Sequence, residues 1–495
     1  MKKTMKFFSM AALCIATVAM VGCSKDEEQP AGSGKVVVST TTIGLGSSEA
    51  SKHLDESGTK VFAAGEEIAV VYQNTSSELV KTTVTLSDVD ISNSGKSATI
   101  VVPMTDPNAN SEVKFIYPAS MANNDGTVNY DALYNNQDGT MATLSSNFDY
   151  AVYSGTLSGV DLPADPVLTN QLAVLKFTVQ NTANSQDMTG SITKLTVKHG
   201  SDVYFVTPTT SQSTFWVAVK PIATNDGDIA IYAAVGKDLY KKTVSSYGAL
   251  SAGTFNRITV GATQIPGAVS GLFRVNAAGN LVYFSQGNLQ RINGTWQFAS
   301  HQYDVLGSWS STSCDIFYWE TTGNYGSGQH CMTSNGTSSD VVNWGANITS
   351  GTWNTLSKTE WQYIFNTRSA STGRFAKAYL FGTTHGVILF PDHYTHPNDV
   401  PVPTGINLDD NTSWNGNQYT AEQWAKMEAA GAVFLPAAGY RNGSNVNAVD
   451  GSGYYWSSTA SSGNGAWNVD INKNVVYPSN DSHRDSGRAV RLVCE

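Results

Sequence analysis

The sequence carries little charge, and most of that charge is negative. Asp, Glu, Lys and Arg make up 14% of the 495 residues, and the formal net charge is −10. A nucleic-acid-binding protein needs a basic surface to neutralise phosphates, so nucleic acid is not an expected partner. Gly, Ser, Thr and Asn are abundant instead. This composition is typical of a secreted, mainly β protein with many turns and polar strand faces.

Cysteine is also scarce, with five residues in the chain. Cys14 and Cys23 lie near the start, which leaves Cys314, Cys331 and Cys494. Three cysteines cannot all pair within one chain, and Cys314 with Cys331 is the disulfide that we expect in an oxidising exterior. No C-x-x-C spacing occurs, so a zinc site is not expected.

Common catalytic signatures are missing. Neither G-x-S-x-G nor H-E-x-x-H occurs. Asp392, His393, His396 and Asp399 form one cluster of ligand-type residues, but they lack the helical spacing that would aim both imidazoles at one ion. We therefore predict no enzyme, no catalytic residue, no metal and no cofactor. A glycosidase is the enzyme class that sequence cannot test, because it needs only two carboxylates close in space.

Residues 1–22 have the pattern of an export signal. Three lysines precede an apolar stretch at residues 7–20, which is too short to span a bilayer comfortably. The stretch ends in Val-Gly-Cys, which resembles a bacterial lipobox and implies cleavage before Cys23 and lipidation of that residue. Residues 23–34 would then form a tether.

An acidic run at residues 26–28 follows this cysteine. It resembles the signal that sends lipoproteins of Bacteroidetes-type bacteria to the outer face of the outer membrane. The plain alternative is a solvated tether. No other apolar run of membrane-spanning length occurs, so the predicted attachment is through lipid alone, at the cell surface.

Two residue types divide the chain near residue 265. Arginine is absent before Arg257, and Trp216 is the one tryptophan of eleven in the first half. This asymmetry is typical of separate domains, and the Gly- and Pro-containing segment 261–271 is predicted as their linker. The first half shows alternating strand patterns, as at residues 175–180 and 229–233, and no sustained helical period. We therefore predict an all-β first half.

Four phrases in this half resemble the fimbrillin family of pilus subunits. They are residues 62–72, 115–118, 172–179 and 250–260, in the order found in the family. The resemblance implies two β-sandwich subdomains, which we place at residues 35–165 and 166–262.

Fimbrillins polymerise by donating a strand to a groove in a neighbouring subunit, and in some members a protease first removes the acceptor's own first strand. Residues 35–43 resemble that first strand. No Arg follows it, which excludes Arg-specific cleavage, whereas Lys52 and Lys60 leave Lys-specific cleavage open. Alternatively, the strand simply stays in its sandwich. Stalk subunits donate a strand from their C-terminal end, which a further domain occupies here, so the resemblance implies a fimbrium tip subunit.

The second half contains two predicted helix starts. Residues 357–360 (S-K-T-E) form a capping box, with Leu356 and Trp361 as its hydrophobic staple. Residues 420–423 (T-A-E-Q) repeat the device, and Gly431 is the predicted C-terminal stop. Two short helices among many strands predict an α+β domain.

Phrases such as residues 453–458 (GYYWSS) and 487–493 (GRAVRLV) resemble the Fibrobacter major paralogous domain family. That family is similar to the C-type-lectin-like fold, so the resemblance implies that residues 271–495 form an α+β, C-type-lectin-like binding domain whose final strands and loops present the ligand surface. The calcium motifs of classical C-type lectins are incomplete at residues 396–398 and 467–469. Calcium-dependent sugar binding is therefore not expected.

Aromatic and polar residues alternate in these final segments, as in adaptable recognition surfaces. Aromatic faces stack on sugar rings, while Asn and Asp reach hydroxyl groups. The predicted ligand-binding residues are Tyr455, Trp467, Asn468, Asp470, Asn472, Tyr477, Asn480, Asp481, His483 and Arg484. Alternatively, Trp456 and Trp467 fill the core, and residues 480–484, interpreted as a loop, are merely solvated.

The sequence thus predicts a mainly β cell-surface adhesin, with a two-subdomain fimbrillin-like β-sandwich followed by a C-type-lectin-like domain. Its expected partners are other fimbrillin subunits through donor-strand exchange, an extracellular glycan or protein ligand, and the outer membrane through lipid. The alternative is a surface glycan-binding lipoprotein that never polymerises.

Overall fold

The computed structural model describes residues 35–45, 61–310, 312–319, 341–369, 373–408 and 413–495. The protein is mainly β, as predicted, with a few short helices. Among the residues in these ranges, no helix is long and apolar enough to cross a membrane. The predicted export signal, Cys23 and the tether lie outside them.

The first sandwich contains eight strands and two helices. Their bounds are β1 Val36–Leu45, β2 Glu67–Gln73, β3 Leu79–Thr85, β4 Ile91–Ser92, β5 Ser97–Thr105, β6 Glu112–Tyr117, α1 Asp131–Asn135, α2 Met141–Asn147, β7 Ala151–Thr156 and β8 Val167–Asn170. The strand order is β3-β2-β6-β7-β8-β1-β5-β4. Strand β8 joins the two layers, since it pairs antiparallel with β7 and parallel with β1. The first sandwich therefore extends to Asn170, beyond the predicted division at residue 165.

The second sandwich contains seven strands. Their bounds are β9 Ala173–Asn181, β10 Lys194–His199, β11 Asp202–Val206, β12 Phe215–Val219, β13 Ile229–Val235, β14 Asp238–Val244 and β15 Phe255–Gln264, in the order β11-β10-β13-β14-β15-β9-β12. The alternation predicted at residues 175–180 is confirmed in β9, where Leu175, Phe177 and Val179 are buried. These side chains reach the core because successive strand residues point to opposite faces.

The first sandwich encloses a hydrophobic core of its own, and residues of β2, β6, α1 and α2 pack in the core of the second sandwich. Gln137, from the segment after α1, closes the outer edge of β12: its Nε2 donates to the carbonyl oxygen of Ala218 and its Oε1 accepts from the Ala218 amide, both at 2.8 Å. Its own carbonyl oxygen accepts from the Thr207 amide beside β11. An edge strand with unpaired backbone groups invites association, so this side chain protects the second sandwich.

The C-terminal unit contains the remaining elements. Its strands are β16 Ala268–Arg274, β17 Leu281–Ser285, β18 Leu289–Ile292, β19 Thr295–Phe298, β20 Ile316–Phe317, β21 Asn354–Thr355, β22 Phe375–Leu380, β23 Thr384–Leu389, β24 Gln418–Tyr419, β25 Val433–Pro436, β26 Tyr440–Asn442, β27 Asn445–Asn447, β28 Ser452–Ala460, β29 Gly465–Asn472, β30 Val476–His483, β31 Arg488–Ala489 and β32 Leu492–Cys494. Its helices are α3 Lys358–Gln362, which continues as a π-helical turn over Tyr363–Thr367, and α4 Ala421–Ala429.

Short 3₁₀ turns connect several elements of the two sandwiches and of the C-terminal unit. They span Asp88–Asp90, Asn93–Gly95, Ala119–Met121, Thr189–Ser191, Trp344–Asn347 and Trp414–Gly416.

Both predicted helix starts are confirmed. Ser357 caps α3 and Thr420 caps α4, each within a complete capping box. Gly431 ends the second helix with φ of +94°, a conformation that L side chains rarely adopt. A Cβ atom added at Gly271 of β16 would clash with the carbonyl oxygen of Gly431, so the two glycines allow strand and helix end to approach closely.

The predicted linker at 261–271 is wrong. Strand β15 continues to Gln264 and β16 begins at Ala268, so the connection is a tight turn in which Gly267 has φ of +78°. Residues on both sides of this turn share a core that includes Phe205, Tyr232 and Leu272. Gly and Pro occur in turns as readily as in linkers, and the apolar residues around them are buried between the second sandwich and the C-terminal unit.

A lysine crosses the same boundary. Lys194 of β10 donates from Nζ to the carbonyl oxygens of His393, at 3.0 Å, and Ala430, at 3.3 Å. Burial lowers the pKa of Lys194 to about 8. The second sandwich and the C-terminal unit are therefore joined by specific polar contacts as well as by a common core.

Candidate functional site

The final strands form a five-stranded sheet in the order β20-β31-β28-β29-β30. Their register sets Tyr454 of β28, Asp470 of β29 and Tyr477 of β30 opposite one another. Directly opposed residues of neighbouring strands lie on the same face of a sheet. With Tyr440, Asn480 and Arg488, these residues make up a surface that we call the terminal patch.

Arg488 lies at the centre of the terminal patch. Its guanidinium carbon is 4.2 Å from the ring centroid of Tyr454 and 5.6 Å from that of Tyr440. Its Nη2 donates to Ser482 Oγ at 2.9 Å, and its Nε has no hydrogen-bond partner among the described residues. Stacking on aromatic faces fixes the plane of the guanidinium and leaves one donor unsatisfied.

Asp470 supplies an acceptor beside this arginine. Burial raises the pKa of Asp470, while the charge of Arg488 and hydrogen bonds from Asn472 and Asn480 act in the opposite direction. Asn480 Nδ2 donates to Asp470 Oδ2 at 3.3 Å. Tyr477 stands at the edge of the patch with 52% of its surface exposed. The patch thus combines an exposed aromatic ring with hydrogen-bonding groups held by their neighbours, which suits a hydroxyl-rich or amide-rich ligand.

The structure brings Asp470, Tyr477 and Asn480 together, whereas two other predicted residues face the opposite side of the sheet. Trp467 is paired in register with Asp481. The ring of Trp467 is covered by Lys358, whose Nζ lies 3.2 Å from its centroid. Asp481 accepts a hydrogen bond from Ser461 Oγ at 2.5 Å. These two residues do not contribute to the terminal patch.

Three predicted ligand-binding residues are structural. Tyr455 is fully buried and donates from its hydroxyl to the carbonyl oxygen of Pro436 at 2.7 Å, and burial raises its pKa. Asn468 is also fully buried, with its Nδ2 donating to the Asn480 carbonyl oxygen. Arg484 is 5% exposed and donates from Nε to the Gly465 carbonyl oxygen. Their polar groups are used inside the domain, which corrects the prediction.

The remaining predicted residues lie at the margins. Asn472 accepts hydrogen bonds from the amides of Asn474 and Val475, so it shapes the turn between β29 and β30. His483 is exposed on the face that carries Asp481. The segment that was interpreted as a loop from residue 480 is strand up to His483. This strand, β30, lies at the edge of the sheet and has several exposed residues. Its sequence therefore resembles that of a solvated loop.

Sequence reasoning missed Tyr440, Tyr454 and Arg488. Tyr455 and Trp456 point to opposite faces of β28, and both are buried. The sequence of this strand therefore does not alternate between apolar and polar residues, and nothing in it distinguished Tyr454 as a surface residue. Trp456 fills the core, as the alternative interpretation had it, and its Nε1 donates to the Phe317 carbonyl oxygen at 2.8 Å.

The candidate metal cluster separates into unrelated contacts. Asp392 Oδ1 accepts from Arg368 Nη1 at 2.7 Å, and Asp399 pairs with Lys426. His396 Nε2 lies 3.0 Å from the Val400 carbonyl oxygen, and the His393 ring packs on a phenylalanine. No group of three potential metal ligands occurs among the residues that the structure describes.

Cys314 is a free, buried thiol that donates to the Ile316 carbonyl oxygen at 2.8 Å, and burial raises its pKa to about 11. The predicted pairing with Cys331 is therefore not made in this structure, and Cys331 itself lies outside the described residues. Cys494 is also free and buried, and the hydroxyl of Tyr283 donates to its Sγ at 2.9 Å.

Residues 404–493, which include the terminal patch, match a family described as a domain of unknown function, DUF8237. No curated protein matches the chain. Among solved structures, the chain is similar to a fimbrial assembly protein from Parabacteroides distasonis, with 11% identity over 51% of this chain and 96% of that one, at a TM-score of 0.26. It is also similar to a fimbrial protein from Bacteroides ovatus, with 10% identity over 93% of this chain and 99% of that one, at a TM-score of 0.23.

Proposed function

We propose that this protein is a cell-surface adhesin in which the two sandwiches carry a C-terminal binding unit, and that the terminal patch is its ligand-binding surface. The observation that carries the proposal is the cluster of Tyr454, Asp470, Tyr477 and Arg488 on one face of the terminal sheet. Exposed aromatic residues beside arginine are typical of binding hot spots. Lipidation of Cys23, which the sequence predicts, would hold the adhesin at the outer membrane.

Binding by the terminal patch can be tested on Tyr477, which is exposed, and on Asn480, which is half-buried. We expect Tyr477→Ala and Asn480→Ala each to weaken binding by about tenfold, because each removes a group that would contact the ligand. The measurement uses the purified chain on a printed panel of bacterial, plant and mammalian glycans and extracellular-matrix proteins. His483→Ala is the matched control, since it is exposed on the opposite face of the same strand. Equal binding by all three variants and the unaltered chain would refute the proposal that the terminal patch is the ligand-binding surface.

We also propose that the adhesin is a fimbrium tip subunit that accepts a donor strand in its first sandwich. Strand β1 pairs with β5 over nine residues but with β8 over only two, at Gly44 and Leu45. Removal of β1 would open a groove between β5 and β8 that an incoming strand could fill by β-augmentation. Lys52 and Lys60, the candidate cleavage positions, lie outside the described residues.

The tip assignment also draws on the position of β32. This strand pairs with β17 on one side and β21 on the other, within the sheet of the C-terminal unit. Lys241 Nζ of the second sandwich donates to the carbonyl oxygen of Glu495, just beyond it, at 2.6 Å. A strand held in this way is not available for donation to a neighbour, so the subunit would accept a strand without passing one on.

Strand acceptance can be tested with a synthetic peptide that copies a fimbrillin donor strand. We expect the chain that begins at residue 61, and therefore lacks β1, to capture the peptide in a complex that survives gel filtration. The chain that retains β1 should not capture it, because its groove is filled. Absence of capture by both folded chains would favour the alternative function, a surface glycan-binding lipoprotein that does not polymerise.

A further inference from the structure

A second cavity, separate from the terminal patch, lies where all three units meet. Its volume is about 730 Å³. The first sandwich contributes Tyr134 and Asn136, the second contributes Thr207, and the C-terminal unit contributes Arg274, Tyr394 and Thr395. We call it the junction pocket. Ligand pockets commonly measure about 300–1,000 Å³, so a small organic molecule would fit.

Contacts between the units fix one wall of the junction pocket. The hydroxyl of Tyr134 donates to Asp202 Oδ1 at 2.5 Å, and its ring centroid is 5.4 Å from that of Tyr204. Lys220 Nζ lies 3.0 Å from the same carboxylate oxygen of Asp202. The Tyr134 ring is therefore held in place before any ligand arrives, which lowers the entropic cost of binding.

The opposite wall is fixed in a similar way. The ring centroids of Phe205 and His393 are 3.9 Å apart, and the guanidinium carbon of Arg274 lies 5.4 Å from the Phe205 ring centroid. Arg274 Nη1 is 3.5 Å from Asp392 Oδ2. Both walls are thus built by residues of one unit packed against residues of another.

The lining is polar without an excess of either charge. Arg274 Nη1 lies 3.5 Å from Asp392, whose other oxygen is bonded to Arg368, and within the lining itself the charge of Arg274 is offset by the carboxylate of Asp131 at the rim. Burial and the nearby charges of Arg274 and Lys194 lower the pKa of His393 to about 4, so this ring is neutral at physiological pH. A strongly anionic ligand such as a phosphate would meet one arginine together with the carboxylate of Asp131, which disfavours that class.

We propose that the junction pocket binds a neutral mono- or disaccharide unit. Among the described residues, no Leu, Ile, Val or Met lines the pocket; its walls carry the half-buried ring of Tyr134 with the amide of Asn136 and the hydroxyls of Thr207 and Thr395, whereas the ring of Tyr394 is buried behind them. Tyrosine faces pack against the C–H face of a sugar ring, and amides and hydroxyls both donate to and accept from sugar hydroxyls. This site is independent of the terminal patch.

The test uses the soluble chain that starts at residue 23, with Cys23→Ser to prevent lipidation. Maltose, lactose, cellobiose and N-acetylglucosamine are the neutral probes, and N-acetylneuraminic acid and inorganic phosphate are the anionic ones. We expect saturation-transfer NMR and isothermal titration to detect at least one neutral probe. A ligand that contacts all three units should also raise the unfolding temperature, because it binds only the assembled state.

Two variants locate the binding. Thr395→Trp fills the pocket from an exposed position, and we expect it to weaken binding by more than about tenfold. Asn136→Ala, which shortens an exposed side chain at the end of α1, should weaken binding by about three- to tenfold. His483→Ala, exposed and outside both the junction pocket and the terminal patch, is the control and should leave the affinity unchanged, while Tyr477→Ala reports whether a probe binds the terminal patch instead. The proposal is overturned if no neutral probe binds, if an anionic probe binds more tightly, or if Tyr477→Ala abolishes binding while Thr395→Trp does not.

Discussion

Replacing Asp392 with Asn is expected to lower the free energy of unfolding by about 3–5 kcal/mol, because it leaves a buried arginine without its counter-charge. Arg368 is fully buried, and its Nη1 is 2.7 Å from Asp392 Oδ1. Burial lowers the pKa of Arg368, and the carboxylate of Asp392 opposes that effect. Asp392 also accepts from the amide of Arg274 at 3.1 Å, so the substitution disturbs β16 as well.

The measurement is urea denaturation followed by tryptophan fluorescence, which reports mainly on the C-terminal unit because ten of the eleven tryptophans lie there. Asp399→Asn is the matched control, because Asp399 lies seven residues after Asp392 in the chain and its carboxylate forms an exposed ion pair with Lys426 of α4. Exposed pairs contribute little to stability, so the control should unfold at the same urea concentration as the unaltered chain. If the two substitutions lowered the free energy of unfolding by similar amounts, burial would not explain how much the Arg368–Asp392 pair contributes to stability.

Local signals predicted local structure well. The capping boxes at Ser357 and Thr420 depend on hydrogen bonds within one turn, and both helices begin where those boxes stand. The alternation of buried and less buried residues predicted for β9 is likewise present, because one face of that strand packs in the core. Both cases rest on interactions between residues close in sequence, which a pattern can encode directly.

The division into units was harder to predict, because it depends on packing between distant segments. Composition near residue 265 predicted a linker, yet the apolar residues on either side pack against each other and against β11, β13 and β14. Gln137 is a comparable case: nothing in its local sequence indicates that it closes the edge of β12, about eighty residues further along the chain. Contacts of this kind leave no periodic signal in the sequence.

The terminal patch shows why only part of a binding surface can be predicted. Asp470, Tyr477 and Asn480 were found because polar and aromatic residues alternate near the end of the chain. Asn468 has the same residue type as Asn480 and lies two positions from Asp470, but it is fully buried and its amide is bonded to β30. Residue type indicates what a surface could bind, whereas the depth of each strand position decides which side chains are available.

Asp315→Asn is expected to stabilise the protein by roughly 3 kcal/mol at neutral pH, because it removes a carboxylate that is costly to ionise where it lies. Asp315 is 1% exposed, its Oδ1 has no hydrogen-bond partner among the described residues, and its Oδ2 accepts from the Leu306 amide at 2.7 Å. Burial raises the pKa of Asp315 from 3.8 to about 6, although the hydrogen bond from Leu306 opposes this. Asparagine keeps an oxygen for the Leu306 amide and carries no charge.

The pH dependence separates this explanation from a change in packing. Between about pH 4 and pH 6 the folded chain holds a proton on Asp315 that the unfolded chain has lost, so stability falls as the pH rises through this window and the full cost is present above it. The gain from Asp315→Asn should therefore be largest above about pH 6 and disappear near pH 4, as measured by urea denaturation across the range. Asp228→Asn, at an exposed position, should show no such dependence. A gain that is constant with pH would mean that Asp315 stays ionised throughout and that the asparagine stabilises by packing or hydrogen bonding instead.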